Sequence, residues 1–313
     1  MNSNYPAHRN IFFVITIDTE IDKSPDWSIN VNGNFTSVLE GIPKILNPIF
    51  IKYGARPTYL ISSEVIDNNN CVAILKGISN CKFEGERSKE IQNAYSRQLE
   101  YRKLKNLTNL FFSKFGYNPK SFRAGRFAAG NNTIYILQKL GYLTDSSVTP
   151  GINWNLKEGR VNYLKAREQP YFANIYDLLE EGKSSVLEVP VSIITSSLKK
   201  YIYFEGNSRL SNRANLLIDR FLSTRWLRPS FQSTGEMIHT IEKILRKFPR
   251  NNNIILNMMF HSMEVIPSAS PYNITESDCK AFLKRLALVL DYCRSNGFKF
   301  VTLSELYHSF KGT

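Results

Sequence analysis

The chain has 313 residues, 42% of them hydrophobic, enough for one large buried core, and a formal charge of +13 with a pI near 9.5. Its basic residues form no run longer than two and accompany no nucleic-acid-binding motif, so the charge reads mainly as solvated surface and no nucleic-acid partner is expected, binding through charge alone ranking below the readings that follow. The segment MNSNYPAHRN lacks the apolar core of a secretion signal, no stretch approaches the ~18 apolar residues of a membrane helix, and four dispersed cysteines suit reduced thiols, so a cytoplasmic protein with no membrane insertion is expected.

The first element is NIFFVITIDTE, Asn10 to Glu20. Ile11 to Ile17 are apolar apart from Thr16, the mark of a strand buried on both faces in a parallel sheet. Asp18 and Glu20 follow two positions apart, so on an extended backbone both leave the same face at its carboxyl end, where α/β proteins keep their sites.

Val38 to Gly54 has helical spacing and a glycine stop, with Pro48 expected to kink or divide it. PTYLIS, Pro57 to Ser62, is the second strand, Cys71 to Gly77 a short helix and Cys81 to Phe83 a stub of a third strand. Gly85 to Tyr95 reads as a polar loop, and a long helix follows from about Ser96 to Phe115. Then come a strand at Ser121 to Gly125, a helix ending at Gly141, and strands at Leu143 to Val148 and Ser185 to Ile194. A helix at Gly235 to Phe248, a strand at Asn253 to Phe260, a helix from about Glu276 to Asn296 and a strand at Phe298 to Leu303 complete the series. Strand and helix alternate, which predicts an α/β fold with a parallel sheet, and about seven strands favour a distorted (β/α)7 barrel of TIM type. One domain over residues 1 to 313 is expected, with residues 151 to 182 as an irregular excursion beside the site.

Polar residues gather at the predicted strand exits: Asp18 and Glu20, Arg123 and Arg126 in FRAGR, Asp145 in TDSSV, and His261 in NMMFHSMEV. Separately each has an ordinary explanation. Arg123 or Arg126 could pair with Asp145 in a buried ion pair, and His261 could be a satisfied core histidine. At one barrel rim they converge into a complementary acid and base set, suited to attack of water on an amide or ester carbonyl.

With IDTE, SFRAGRFAAG, LGYLTDSSVTPGINW, WLRPS, NMMFHSMEVIPSASPY and FKFVTLSELY in place, nearly the whole chain resembles the polysaccharide deacetylase family, the NodB-homology group of carbohydrate esterases. The resemblance implies a (β/α)7 barrel that removes N-acetyl groups from a glycan or sugar-linked substrate with a divalent metal, zinc first among the choices. By position, Asp18 resembles the catalytic base, Glu20 the carboxylate metal ligand, Arg123 the arginine that orients the base, His261 the catalytic acid, and Asp145 the carboxylate that tunes it. Arg126, Trp226, Tyr272 and Glu264 are candidate substrate-binding residues, the aromatic pair as platforms for sugar rings. The family's two metal histidines should fall near CKFEGERSKE, which has none; Glu84 and Glu86 are the oxygen ligands that could replace them. The missing histidines motivate the alternative reading, a metal-free protein of the same fold that binds a glycan or serves as a scaffold.

Overall fold

The computed structural model describes residues 10–28, 33–79, 81–87, 94–156, 159–196, 224–249 and 253–311. Among the described residues seven parallel strands form the main path of the sheet: β1 (Asn10–Thr19), β2 (Pro57–Ile61), β3 (Lys82–Arg87), β4 (Ser121–Ala124), β5 (Thr144–Asp145), β6 (Leu187–Glu188) and β7 (Asn253–His261), with Lys299–Phe300 also parallel to β1 off that path. Their order is β7-β1-β2-β3-β4-β5-β6, so chain order and spatial order agree around the sheet apart from β7, which returns beside β1. No ladder joins β6 to β7 among the described residues; just beyond β6 the Ser192 N–H donates to the Asn257 carbonyl, and side chains supply the remaining bonds. Asn257 Nδ2 donates to the carbonyls of Val189 and Pro190, and Gln169 exchanges two hydrogen bonds with the backbone of Ile255.

The two faces of β1 do different work. Ile11, Phe13, Ile15 and Ile17 face the helices and join the main core, which also takes Val38, Ile42, Leu46, Phe282 and Leu286. Phe12 and Val14 point the other way and pack with Leu187, Val189 and Ile255 against Leu303, Leu306 and Tyr307 of the C-terminal helix, Leu303–Lys311. That helix plugs one end of the sheet, and each large side chain it buries contributes about 1.5–3 kcal/mol. Further along the same face stand Thr16 and then Asp18, so the interior passes from apolar to polar toward the carboxyl ends of the strands.

Pro48 divides the first helix as expected: a wide turn region, Ser37–Leu46, passes into an α-helix, Asn47–Tyr53, with the proline in its first turn where no N–H is needed. Gly54 closes it at φ 66°, a left-handed cap. The helix Arg97–Phe115 starts on the Ser96 cap, and the helices Thr234–Lys247 and Glu276–Ser295 start on capping boxes from Ser233 and Thr275.

Several boundaries differ from expectation. β3 runs on to Arg87 rather than stopping at Phe83. The predicted strand from Ser185 to Ile194 breaks into β6 and an antiparallel pair, Ile193–Ile194 with Arg225–Trp226, across Pro190, which has no N–H to give a ladder. The last strand shrinks to Lys299–Phe300, because Thr302 and Glu305 form a reciprocal cap that starts the terminal helix. Within the excursion lie a hairpin, Asn153–Leu156 with Gly159–Asn162, and a short strand, Tyr171–Phe172, antiparallel to β6.

Candidate active site

Asp18, near the end of β1, lies directly beside His261, which ends β7; the two are register partners. The imidazole Nε2 stands 4.0 Å from Asp18 Oδ2 and 4.0 Å from Glu20 Oε1, beyond direct hydrogen-bond distance of either. Asp18, Glu20, Arg123 and His261, scattered through the sequence, therefore do meet at the carboxyl ends of the strands.

Arg123 holds Asp18 from below. Its Nη1 pairs with Asp18 Oδ1, its Nε donates to the Ser146 carbonyl at 2.8 Å, and its Nη2 donates to Thr16 Oγ1 and Ser146 Oγ at 2.8 and 2.9 Å. Asn257 completes the set, accepting from Thr16 at 3.0 Å and donating to Ser146 at 2.9 Å. Both members of the ion pair are almost fully buried, so the desolvation cost is offset only because nearly every donor of the guanidinium has an acceptor. The result is a carboxylate fixed in place by a fully engaged guanidinium.

His261 is held from the side. It caps the short turn Ser262–Val265, and the third residue of that turn is Glu264, whose Oε1 accepts from the His261 backbone N–H at 2.8 Å and lies 3.0 Å from Nδ1. Arg228 Nη2 lies 2.5 Å from the same carboxylate oxygen and 3.0 Å from Nδ1, and Ser230 donates to the other oxygen. Burial alone would raise the Glu264 carboxyl; Arg228, then His261, outweigh it and hold it at about 2. Nδ1 is thus occupied whichever tautomer is present, and Nε2 is the nitrogen that faces the carboxylates.

An aromatic mouth surrounds the imidazole. Trp27 lies 5.3 Å from the His261 ring and 5.5 Å from Tyr272, and Phe231 lies 5.2 Å from Tyr272. The Arg228 guanidinium sits over Phe231 and Tyr272, at 4.3 and 4.6 Å. Trp27 adopts a left-handed backbone, φ 65°, and stays 39% exposed, a strained aromatic kept at the opening.

The structure corrects several sequence expectations. The carboxylate at His261 Nδ1 is Glu264, not Asp145. Asp145 is buried beside its register partner Glu188 and accepts from Ser147 at 2.7 Å. Burial raises Asp145 to about 6 and Glu188 further still, so the pair shares protons away from the imidazole. The guanidinium groups that reach Asp18 and His261 are those of Arg123 and Arg228; Arg126 lies on an exposed turn at φ 54°. Trp226 is buried in a cluster with Phe127, Trp154 and Phe231, the last of which links it to the mouth. Tyr272 stands in the mouth, and Glu264 is fully buried against Arg228, Ser230 and His261, which makes it a support of the imidazole rather than a surface for substrate. Glu84 turns away from the site: its Oε2 accepts from the backbone N–H of Lys120 and Ser121, at the amino end of β4. Glu86 is the register partner of Arg123, and its side chain lies outside the described residues.

Four residues of the site are absent from the sequence expectations: the charged Lys23 and Arg228, and Trp27 and Phe231 of the mouth. Arg228 sits in WLRPS, where the tryptophan is the more conspicuous residue. Lys23 bears on the expected metal: its Nζ lies 2.5 Å from Glu20 Oε2, and both side chains are buried. Among the described residues no group of three or more histidine, cysteine, aspartate or glutamate side chains could hold a metal ion. With one oxygen of Glu20 on an ammonium, one oxygen of Asp18 on a guanidinium and Glu84 facing away, the donors present do not fit a divalent ion of the kind the resemblance implies.

No family model matches the chain, and no curated protein matches it in sequence. Among solved structures it is similar to a protein assigned as a polysaccharide deacetylase from Mycobacterium smegmatis, at 12% identity over 99% of this chain and 93% of the other, with a TM-score of 0.58. The fold is that of the polysaccharide deacetylases. A protein assigned as a glycoside hydrolase/deacetylase from Parabacteroides distasonis gives a TM-score of 0.63 at 12% identity, over 97% of this chain and 71% of that one. Puue allantoinase gives 0.57 at 12% identity, over 99% and 93%. The deacetylase fold thus extends over nearly the whole chain, and at such identities the likeness is one of architecture.

Proposed function

We propose that the chain is a hydrolase that removes an N-acetyl or related acyl group from a glycan or sugar-linked substrate. The observation that carries this reading is the 4.0 Å gap between Asp18 Oδ2 and His261 Nε2, each held from behind by its own arginine. Asp18 takes a proton from water as the oxygen attacks the acyl carbon. His261 Nε2 gives a proton to the departing amine nitrogen, the carbon–nitrogen bond breaks, and a carboxylate and an amine leave. Arg123 holds the Asp18 carboxylate in place, and Glu264 holds the His261 ring by its Nδ1. Trp27, Tyr272 and Phe231 offer apolar faces to a sugar ring. The hydrolase and deacetylase assignments of two similarly folded proteins support the substrate class. Acetate release from N-acetylglucosamine oligomers tests it: release by the wild-type chain and its loss in both Asp18→Asn and His261→Ala is the expected result.

The Lys23 contact with Glu20 favours a second reading, a glycan-binding protein without turnover. Saturable binding of the same oligomers, with no acetate released, would select it.

A further inference from the structure

We infer that the Lys23 ammonium is the built-in cation of this centre, polarising the acyl carbonyl and stabilising the oxyanion, so that hydrolysis proceeds without a divalent metal. The inference rests on the hydrolase reading above.

Lys23 follows Glu20 by three residues, and the backbone between them is tied back by the Lys23 N–H, which donates to the Ala269 carbonyl at 3.0 Å. That tie turns the side chain inward, where it is 8% exposed, an unusual depth for an amine on a flexible stem. One oxygen of Glu20 receives the ammonium at 2.5 Å, and the other faces His261 Nε2 at 4.0 Å. The ammonium and the acid therefore flank one carboxylate. Among the described residues Glu20 is the one hydrogen-bond partner of Nζ, which leaves donors for a substrate oxygen.

The charges of the site point the same way. Lys23, Arg123 and Arg228 face Glu20, Asp18 and Glu264, one cation to each carboxylate. These six charges cancel before His261 takes a proton. A divalent ion at Glu20 would add two positive charges a few ångströms from an ammonium and displace its one partner among the described residues, a direct repulsion. The chemistry of lysine suits this role, because its ammonium is a compact charge that donates along a hydrogen bond to the developing oxyanion. In the step, water oxygen bonds to the acyl carbon as Asp18 takes its proton. The carbonyl π pair moves onto oxygen beside Lys23, then returns as the bond to nitrogen breaks and His261 protonates the amine.

The test uses the full chain, dialysed against EDTA, with the N-acetylglucosamine tetramer as substrate and cobalt(II) as a spectroscopic metal probe. The rate of acetate release should be the same before and after chelation, and cobalt added at one equivalent to the wild-type chain should give no ligand-field band. Lys23→Met should lower kcat at least about a hundredfold with KM changed less than about threefold, Lys23→Arg should recover part of that loss, and Lys23→Met should bind cobalt about tenfold more tightly because Glu20 is released. Loss of the rate on chelation with recovery on added zinc, or stoichiometric cobalt binding by the wild-type chain, would overturn the inference without any variant having to fold. An absence of acetate release from every preparation would instead bring down the hydrolase reading, and with it the role of Lys23 in turnover.

Discussion

Asp18 and His261 are neighbours across the β1–β7 ladder, in register at its last paired position. This explains how residues 243 apart in sequence reach a common face: β7 returns beside β1, and the strands end nearly level with each other. The arrangement predicts that each group is needed for chemistry; His261 stands at the partly open rim, whereas Asp18 is buried on Arg123, so Asp18→Asn, which keeps an oxygen for the guanidinium, should fold with reduced stability. Asp18→Asn and His261→Ala are each expected to lower acetate release by about 10²–10⁴-fold. Far-UV circular dichroism of both variants should match the wild type.

Arg228 is predicted to matter first for stability. Its guanidinium is the main counter-charge of Glu264, which is fully buried. Arg228→Ala leaves a buried carboxylate short of its partner and should cost about 3–5 kcal/mol, read from denaturant unfolding at pH 7. The pH dependence has a fixed sign. Glu264 titrates below its ordinary 4.5, at about 2, so its contribution is present above pH 4.5 and is lost as the pH falls toward 2. That acid-limb loss should disappear in Glu264→Gln.

Glu84 is expected to behave in the opposite way. Burial pushes its carboxyl up to about 7 against the two backbone donors that favour the charged form. The folded state therefore binds a proton more tightly than the unfolded chain, and stability falls as the pH rises from 4.5 through 7. Glu84→Gln keeps an oxygen for the Lys120 and Ser121 N–H groups and removes the titration. It should gain on the order of 2–3 kcal/mol relative to wild type at pH 8 and little at pH 4.5, measured by urea unfolding at the two values.

The aromatic mouth is predicted to act on binding. Trp27→Ala and Tyr272→Ala should each raise KM for an N-acetylated oligomer by about five- to twentyfold, the loss of one stacking face, with a smaller change in kcat. Trp226→Ala, buried one ring further back, should lower the melting temperature more than it changes KM.

Much of the architecture is legible because it rests on local pattern. The apolar run of β1, the glycine stops at Gly54, Gly116 and Gly141, and the strand and helix alternation point to the parallel sheet and its rim. Asp18, Arg123 and His261 can be read because each directly follows or sits in such a strand. Other features depend on where the chain goes next. The helix at Leu303 hides behind a β-rich start, VTL, and is revealed only by the cap that Thr302 and Glu305 make. Glu264 carries a usable signal, since a carboxylate three residues after His261 is the spacing of a cap; Asp145 competes for the same role and is paired instead with Glu188. Lys23 carries none: its inward turn is set by Ala269, 246 residues away in the chain.

Whether Asp18 and His261 work as an acid and base pair on an N-acyl sugar is decided by the pH profile of acetate release from the N-acetylglucosamine tetramer, for wild type and for Asp18→Asn. Measurable release by the wild type, and no release above background by the variant at any pH, is the expected result. Equal rates for the two proteins across the profile would contradict it.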